Sequence, residues 1–238
     1  MEPGDRNKSR ILIIGGTGHL GKFIVAASAR AGHPTSALVR ATAPPPPATG
    51  GGGSSSRARL LQSFRDAGVT ILQGDIGDHD LLVKAVRAAD VVISVVGYHD
   101  VGEQMKIIAA IKEAGNIKRF IPSDFGNDAD HAHIVEPAKA TFDVEAQIRR
   151  TVEAEGIPYT FASCNFFAGY YLPTLEDIAT FTIKGVDDPR MLNKVLHIRP
   201  PENALILETI LEMMPETTQS FVNNYFTSIE ETIGLTSK

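Results

Sequence analysis

RILIIGGTGHLGKFIVAASARAG, residues 10–32, joins an unbroken apolar run to a glycine triplet and then to an amphipathic segment. Ile11, Leu12, Ile13 and Ile14 show no polar alternation, the pattern of a parallel strand covered on both faces. Gly15, Gly18 and Gly21 follow at the spacing G-x-x-G-x-x-G, and the pattern predicts a helix from about His19 to Ala31. Strand, glycine turn and helix in this order make a corner suited to a pyrophosphate. Gly15 permits the tight turn, Gly18 lets backbone N–H groups approach the anion, and Gly21 lets the helix pack closely on the strand. The candidate cofactor-binding residues of this corner are Gly15, Gly16, Thr17, Gly18, His19, Leu20 and Gly21. The plain alternative is a glycine-rich turn that binds nothing.

Outward from the corner the alternation continues. TSALVR (35–40), VTILQ (69–73), DVVISVV (90–96), KRFIPS (118–123) and PYTFAS (158–163) read as further strands. Helices are expected at about Arg59 to Ala67, Asp80 to Ala88, Gly102 to Gly115 and Pro137 to Ala154. Strands alternating with helices predict an α/β fold with a doubly wound parallel sheet, Rossmann-like in class. ATAPPPPATGGGGSSS, residues 41–56, is of low complexity and interrupts a strand–helix pair, so a flexible surface loop is expected there. After Tyr171 the alternation weakens to a helix, a short strand VLHI and another helix. The expected division is a cofactor-binding domain over 1–171 and a small, abridged substrate-binding region over 172–238 that packs over the mouth of the sheet.

The 238 residues are 43% hydrophobic and 21% charged, as in ordinary globular chains. A formal net charge of −5 argues against nucleic-acid binding by phosphate neutralisation. No apolar run is long enough to span a membrane, and the polar start MEPGDRNKSR lacks the apolar core of a secretory signal. Cys164 is the single cysteine, which suits a cytoplasmic location and a buried structural thiol.

Arg40 ends the second strand nineteen residues after Gly21, where a binder of NAD carries an acidic residue for the ribose hydroxyls. A guanidinium there suits a 2′-phosphate, so the predicted cofactor is NADP (NADPH). Arg57 and Arg59 lie across the low-complexity loop and either close on the same phosphate or are solvated helix-start charges. Asp75 and Ile76 are placed near the adenine, although helix capping explains Asp75 and Asp78 equally well. Val95, Val96 and Gly97 end the fourth strand at the crevice.

In HIVEPAKATF, residues 133–142, Lys139 falls in the first turn of a helix, where the dipole disfavours a cation. A solvated lysine paired with Asp143 is the bland reading. No tyrosine is followed four residues later by a lysine, so the Tyr-x-x-x-Lys pair common on such sheets is missing. Lys139 is therefore the candidate catalytic acid–base group. Asp128, Asp130, His131 and His133 match no zinc spacing and are expected to be solvated loop residues, with no metal. The absence of Gly-x-Ser-x-Gly argues against a hydrolase elbow.

GGTGHLGKFIVAASARAGHPTSALVR, QGDIGDHDLLVKAV, IIAAIKEAGNIKRFIPSDFGND and EPAK together resemble the plant isoflavone reductase-like family. That family includes phenylcoumaran benzylic ether and pinoresinol-lariciresinol reductases and is related to the NmrA-like proteins. The resemblance runs from about residue 10 to residue 205. It implies an NADPH-dependent reductase of phenylpropanoid-derived aromatics, with small aromatic substrates, no nucleic-acid or membrane partner, and a homodimer as an open alternative. It also implies that Gly15 to Gly21 hold the pyrophosphate, that Arg40 holds the 2′-phosphate and that Lys139 transfers a proton. Arg57 stands where the family usually offers a lysine, the chain is abridged between Asp177 and Thr182, and no counterpart of the usual C-terminal helices follows Leu205. An NmrA-like sensor of NADP redox state, or a weakly active truncated isoform without turnover, is the alternative.

Overall fold

The computed structural model describes residues 8–40, 53–131, 139–164 and 175–198. Strand β1 (Ile11–Ile14) lies at the centre, with β2 (Thr35–Val39) on one side and β4 (Val91–Ser94) on the other. β3 (Thr70–Gln73) flanks β2, and β5 (Arg119–Ile121) flanks β4, giving the order β3-β2-β1-β4-β5, all parallel. Ile11 is in register with Thr35 and with Val91. β6 (Thr160–Ser163) pairs in parallel with β7 (Lys194–His197) as a second sheet. A single parallel bridge, Phe120 to Tyr159, continues the first sheet into the second, and Phe120 N–H donates to the Pro158 carbonyl at 2.8 Å. The expected doubly wound parallel fold is therefore present.

The two-residue period of β1 divides the core. Ile11 and Ile13 join one apolar cluster with residues of α1 (Gly21–Arg30), α2 (Gly53–Asp66) and α6 (Leu175–Val186). Leu12 and Ile14 join the other, with α3 (His79–Arg87), α4 (Gln104–Ala114) and α5 (Lys139–Ala154). Each fully buried branched side chain of these clusters contributes about 1.5–3 kcal/mol of transfer free energy. Helices thus cover both faces, and the strand ends are left to build the site.

Two expectations are corrected. The low-complexity stretch does not stay a loop up to residue 56, because α2 already begins at Gly53. Once Arg57 to Phe64 are helical, adding a serine at the N-terminus costs only its small propensity and no new nucleation. Residues 41–52 lie outside the described residues. The described part of the stretch after Tyr171 does not cover the mouth of the sheet. Instead α6 lies against α1 in the helical layer, burying Leu175, Ile178, Ala179, Ile183 and Val186, and β7 extends β6. Residues 165–174, which contain the expected domain boundary, and residues 199–238 are outside the described set.

Candidate cofactor crevice and active site

The turn after β1 has the geometry its glycines suggest. Gly15 adopts φ +84°, and a Cβ there would stand 2.2 Å from the Val95 carbonyl oxygen. A Cβ on Gly21 would stand 2.2 Å from the Gly15 oxygen, so only glycine allows the first turn of α1 to sit this close to the strand end. Gly18 N–H donates to the Gly15 carbonyl at 2.9 Å and closes the turn. No side chain caps α1 and its first turn carries no acidic residue, so the partial positive charge of that end is left for an anion.

A cavity of about 260 Å³ opens above this turn, at the carboxyl ends of β1, β2 and β4. Gly15, Thr17, Gly18, Arg40 and Arg57 all line it. Of the other candidates, Gly16 is buried facing Val25 and Ile13, Leu20 is a core residue, Gly21 packs on Gly15, and His19 is exposed. None of these four lines the cavity. Asp75, Ile76, Val95, Val96 and Gly97 line it as the sequence suggests. Asp75 also accepts Gly77 N–H at 2.8 Å, and Asp78 caps α3 by accepting Leu81 N–H at 3.1 Å, so both aspartates have structural duties. Arg59 is exposed and off the cavity lining.

Arg40 and Arg57 stand together on the lining of this cavity. Arg57 Nη2 donates to the Arg40 carbonyl at 3.1 Å, while its buried Nε has no hydrogen-bond partner among the described residues. A buried unpaired guanidinium N–H is costly unless a ligand completes it. Arg40 Nη2 lies 3.8 Å from Asp100 Oδ2. Asp100 and Glu103, in the 3-10 turn Tyr98–Glu103 after β4, also line the cavity. Sequence reasoning passed over both. Their position one short loop beyond Gly97 was the available signal.

Lys139 is the first residue of α5, and its Nζ donates to Asp143 Oδ2 at 2.5 Å. Glu136 and Pro137, on which the expected helix start rests, lie outside the described residues, as does His133.

Further along Lys139's own helix the structure holds a buried charge cluster. The side chain of Arg149 is wholly buried and donates from Nε to Asp124 Oδ2 at 2.6 Å and from Nη1 to Asp128 Oδ1 at 2.5 Å and Asp130 Oδ2 at 2.9 Å. Its guanidinium lies 4.9 Å from the centre of the Phe161 ring. The expectation of solvated loop residues is therefore corrected for Asp128, which is buried because Arg149 compensates its charge. His131 is exposed, with Nδ1 2.9 Å from Asp128 Oδ2. Among the described residues no group of side chains is arranged to hold a metal. Burial opposes ionisation of Asp128, yet hydrogen bonds from Arg149 and His131 outweigh it and hold its carboxyl below the usual range. Asp124 is pushed up to about 7 by burial, against the attraction of Arg149. Glu145 is pushed up to about 7 by burial and by Asp124. The Cys164 thiol is pushed up to about 12, chiefly by burial, which makes it a structural thiol and no nucleophile.

The profile described as the NmrA-like family matches residues 7–178. The chain belongs to the NmrA-like family. Within it, this NmrA-like protein falls among the plant isoflavone reductase-like proteins. It is 50% identical over 234 residues to phenylcoumaran benzylic ether reductase TP7 of Nicotiana tabacum, covering 87% of this chain and 73% of that one. It is 54% identical over 226 residues to eugenol synthase 1 of Petunia hybrida, covering 83% and 71%. A solved binary complex of leucoanthocyanidin reductase with NADPH from Vitis vinifera superimposes with a TM-score of 0.74 at 34% identity, covering 85% of this chain and 72% of that one. Among the described residues, no helix of this NmrA-like protein is long and apolar enough to cross a membrane.

Proposed function

We propose that this chain, an NADPH-dependent oxidoreductase, reduces phenylpropanoid-derived aromatic substrates of the isoflavone, lignan or phenylcoumaran type. The observation that carries this is the meeting of Gly15, Thr17, Gly18, Arg40 and Arg57 on one cavity at the carboxyl ends of the central strands. The cavity suits a phosphorylated dinucleotide in three respects: a turn with no room for a Cβ at Gly15, a helix end without a side-chain cap, and an unpartnered buried N–H on Arg57. Gly15 to Gly18 and the start of α1 receive the pyrophosphate, and Arg40 and Arg57 receive the 2′-phosphate. The bound nicotinamide supplies a hydride. Val95, Val96 and Gly97, which line the cavity after β4, would form the wall that holds it.

In this reading Lys139 binds and moves the proton that accompanies reduction. It must leave Asp143 to do so, which places the exchange of that ion pair on the reaction path. The names of similarly related proteins point to different aromatic products, so the substrate is assigned only as a class. The test is a panel of isoflavones, lignans and phenylcoumarans, with NADPH oxidation followed at its absorbance maximum. At least one class should be turned over, and failure of all three with demonstrated NADPH binding would sink the reductase reading. That failure would favour a second one, an NADP-binding sensor, which the Lys139–Asp143 pair supports because a sensor needs no available acid–base group.

A further inference from the structure

The sheet order places β1 between β2 and β4. Arg40 is the first residue after β2, and Asp100 lies in the 3-10 turn after β4, so their 3.8 Å ion pair joins the two sides of the crevice that the glycine turn of β1 floors. We propose that Asp100 sets how strongly this crevice discriminates a 2′-phosphorylated dinucleotide, by holding the Arg40 guanidinium that the phosphate must take over. This rests on the dinucleotide reading above.

Three carboxylates line a cavity that has to accept an anion: Asp75, Asp100 and Glu103. Asp75 is engaged by Gly77 N–H, and Glu103 pairs with Lys106 one turn along. Asp100 is the carboxylate paired with Arg40. Arg57 is held differently, by the Arg40 carbonyl, and its Nε is unpartnered. A phosphate arriving at the two arginines therefore completes Arg57 and exchanges with Asp100 at Arg40.

The exchange is feasible because the pair is long and wet, with Arg40 73% and Asp100 45% exposed. Exposed ion pairs of this kind are weak, whereas a guanidinium meeting phosphate forms short, charge-assisted and often paired bonds. Asp100 also repels the phosphate directly across the same few ångströms. A dinucleotide without the 2′-phosphate leaves the Arg40–Asp100 pair in place and gains nothing from its removal. Asp100 thus lowers affinity for one cofactor and not the other.

Binding of NADP+ and of NAD+ is titrated by calorimetry to the wild-type chain and to Asp100→Asn, at low salt and at about 0.5 M salt. The variant should bind NADP+ about three- to tenfold more tightly and NAD+ within about twofold of wild type. The gain should shrink at high salt, where exposed charges are screened. Unchanged NADP+ affinity, or equal tightening of both dinucleotides, would overturn the role of Asp100. A wild-type chain that binds NADP+ no better than NAD+ overturns the cofactor reading itself, and this inference with it.

Discussion

Lys139 Nζ lies 2.5 Å from Asp143 Oδ2 across one turn of α5, with the two side chains 51% and 62% exposed. The sequence offered two fates for Lys139, surface ion pair or proton carrier, and this geometry makes them compete. Lys139 is not among the residues that line the crevice, so to act there it must leave this partner. Given an active substrate, Lys139→Met should lower kcat by roughly 10²–10⁴ while NADPH affinity stays within about threefold. Asp143→Asn should raise kcat in the same assay, since Lys139 then has no carboxylate at this position to leave. Undiminished kcat in Lys139→Met would return Lys139 to the surface.

Arg40 stands at the end of β2 with its guanidinium on the cavity. The wild-type chain should bind NADPH at least about tenfold more tightly than NADH, because a charge-assisted phosphate contact contributes roughly 1.5–3 kcal/mol. Arg40→Asp should narrow or reverse that ratio in a fluorescence titration. A ratio that survives the charge reversal would show that Arg57 alone recognises the phosphate.

Glu145 carries a buried Oε2 with no hydrogen-bond partner among the described residues. Burial first, and Asp124 second, raise its carboxyl to about 7, above the unfolded value of about 4.3. The folded state therefore holds a proton that the unfolded chain has released, and this contribution to stability is lost as pH rises from about 4.5 through 7. Glu145→Gln keeps the shape and removes the titration. Urea unfolding should show the variant gaining on wild type by on the order of 1–3 kcal/mol between pH 5 and pH 8. A difference constant with pH would mean that this carboxyl ionises in the folded protein as readily as in the unfolded one.

Gly15 combines a left-handed φ of +84° with a Cβ position 2.2 Å from the Val95 oxygen. Gly15→Ala must move the β4 end or the turn, at a cost of at least about 1–3 kcal/mol from backbone conformation alone. Thermal denaturation should show a lowered Tm, and dinucleotide binding should weaken in the material that remains folded. Native Tm together with native binding would mean that the turn relaxes at no cost.

The central sheet and the crevice were legible because their signals are local. Ile11 to Ile14 announce a doubly covered strand without reference to the rest of the chain, and the steric demands on Gly15 and Gly21 are met within a few residues. The Arg149 cluster was not read, because its partners Asp124, Asp128 and Asp130 come from the segment after β5 and the arginine from a helix. One clue was present: Arg149 sits beside Ile148 and one turn before Val152, on the face of α5 that is otherwise apolar. A charge in that position requires buried partners. The placement of α6 was hidden for a different reason. Its apolar face says only that it packs on something, and nothing local distinguishes the face of the sheet from its mouth.

Cys164 follows β6 directly, and its N–H donates to the Gly126 carbonyl at 3.0 Å, so the chain's only thiol sits where the loop after β5 closes on that strand. Burial pushes this thiol up to about 12, so the reactive thiolate is strongly disfavoured at neutral pH. Alkylation of this partly buried thiol is expected to speed up when that junction parts. The rate at which iodoacetamide is consumed is thus a clock for the opening of the seam beside the Arg149 cluster, built into the chain without any added label.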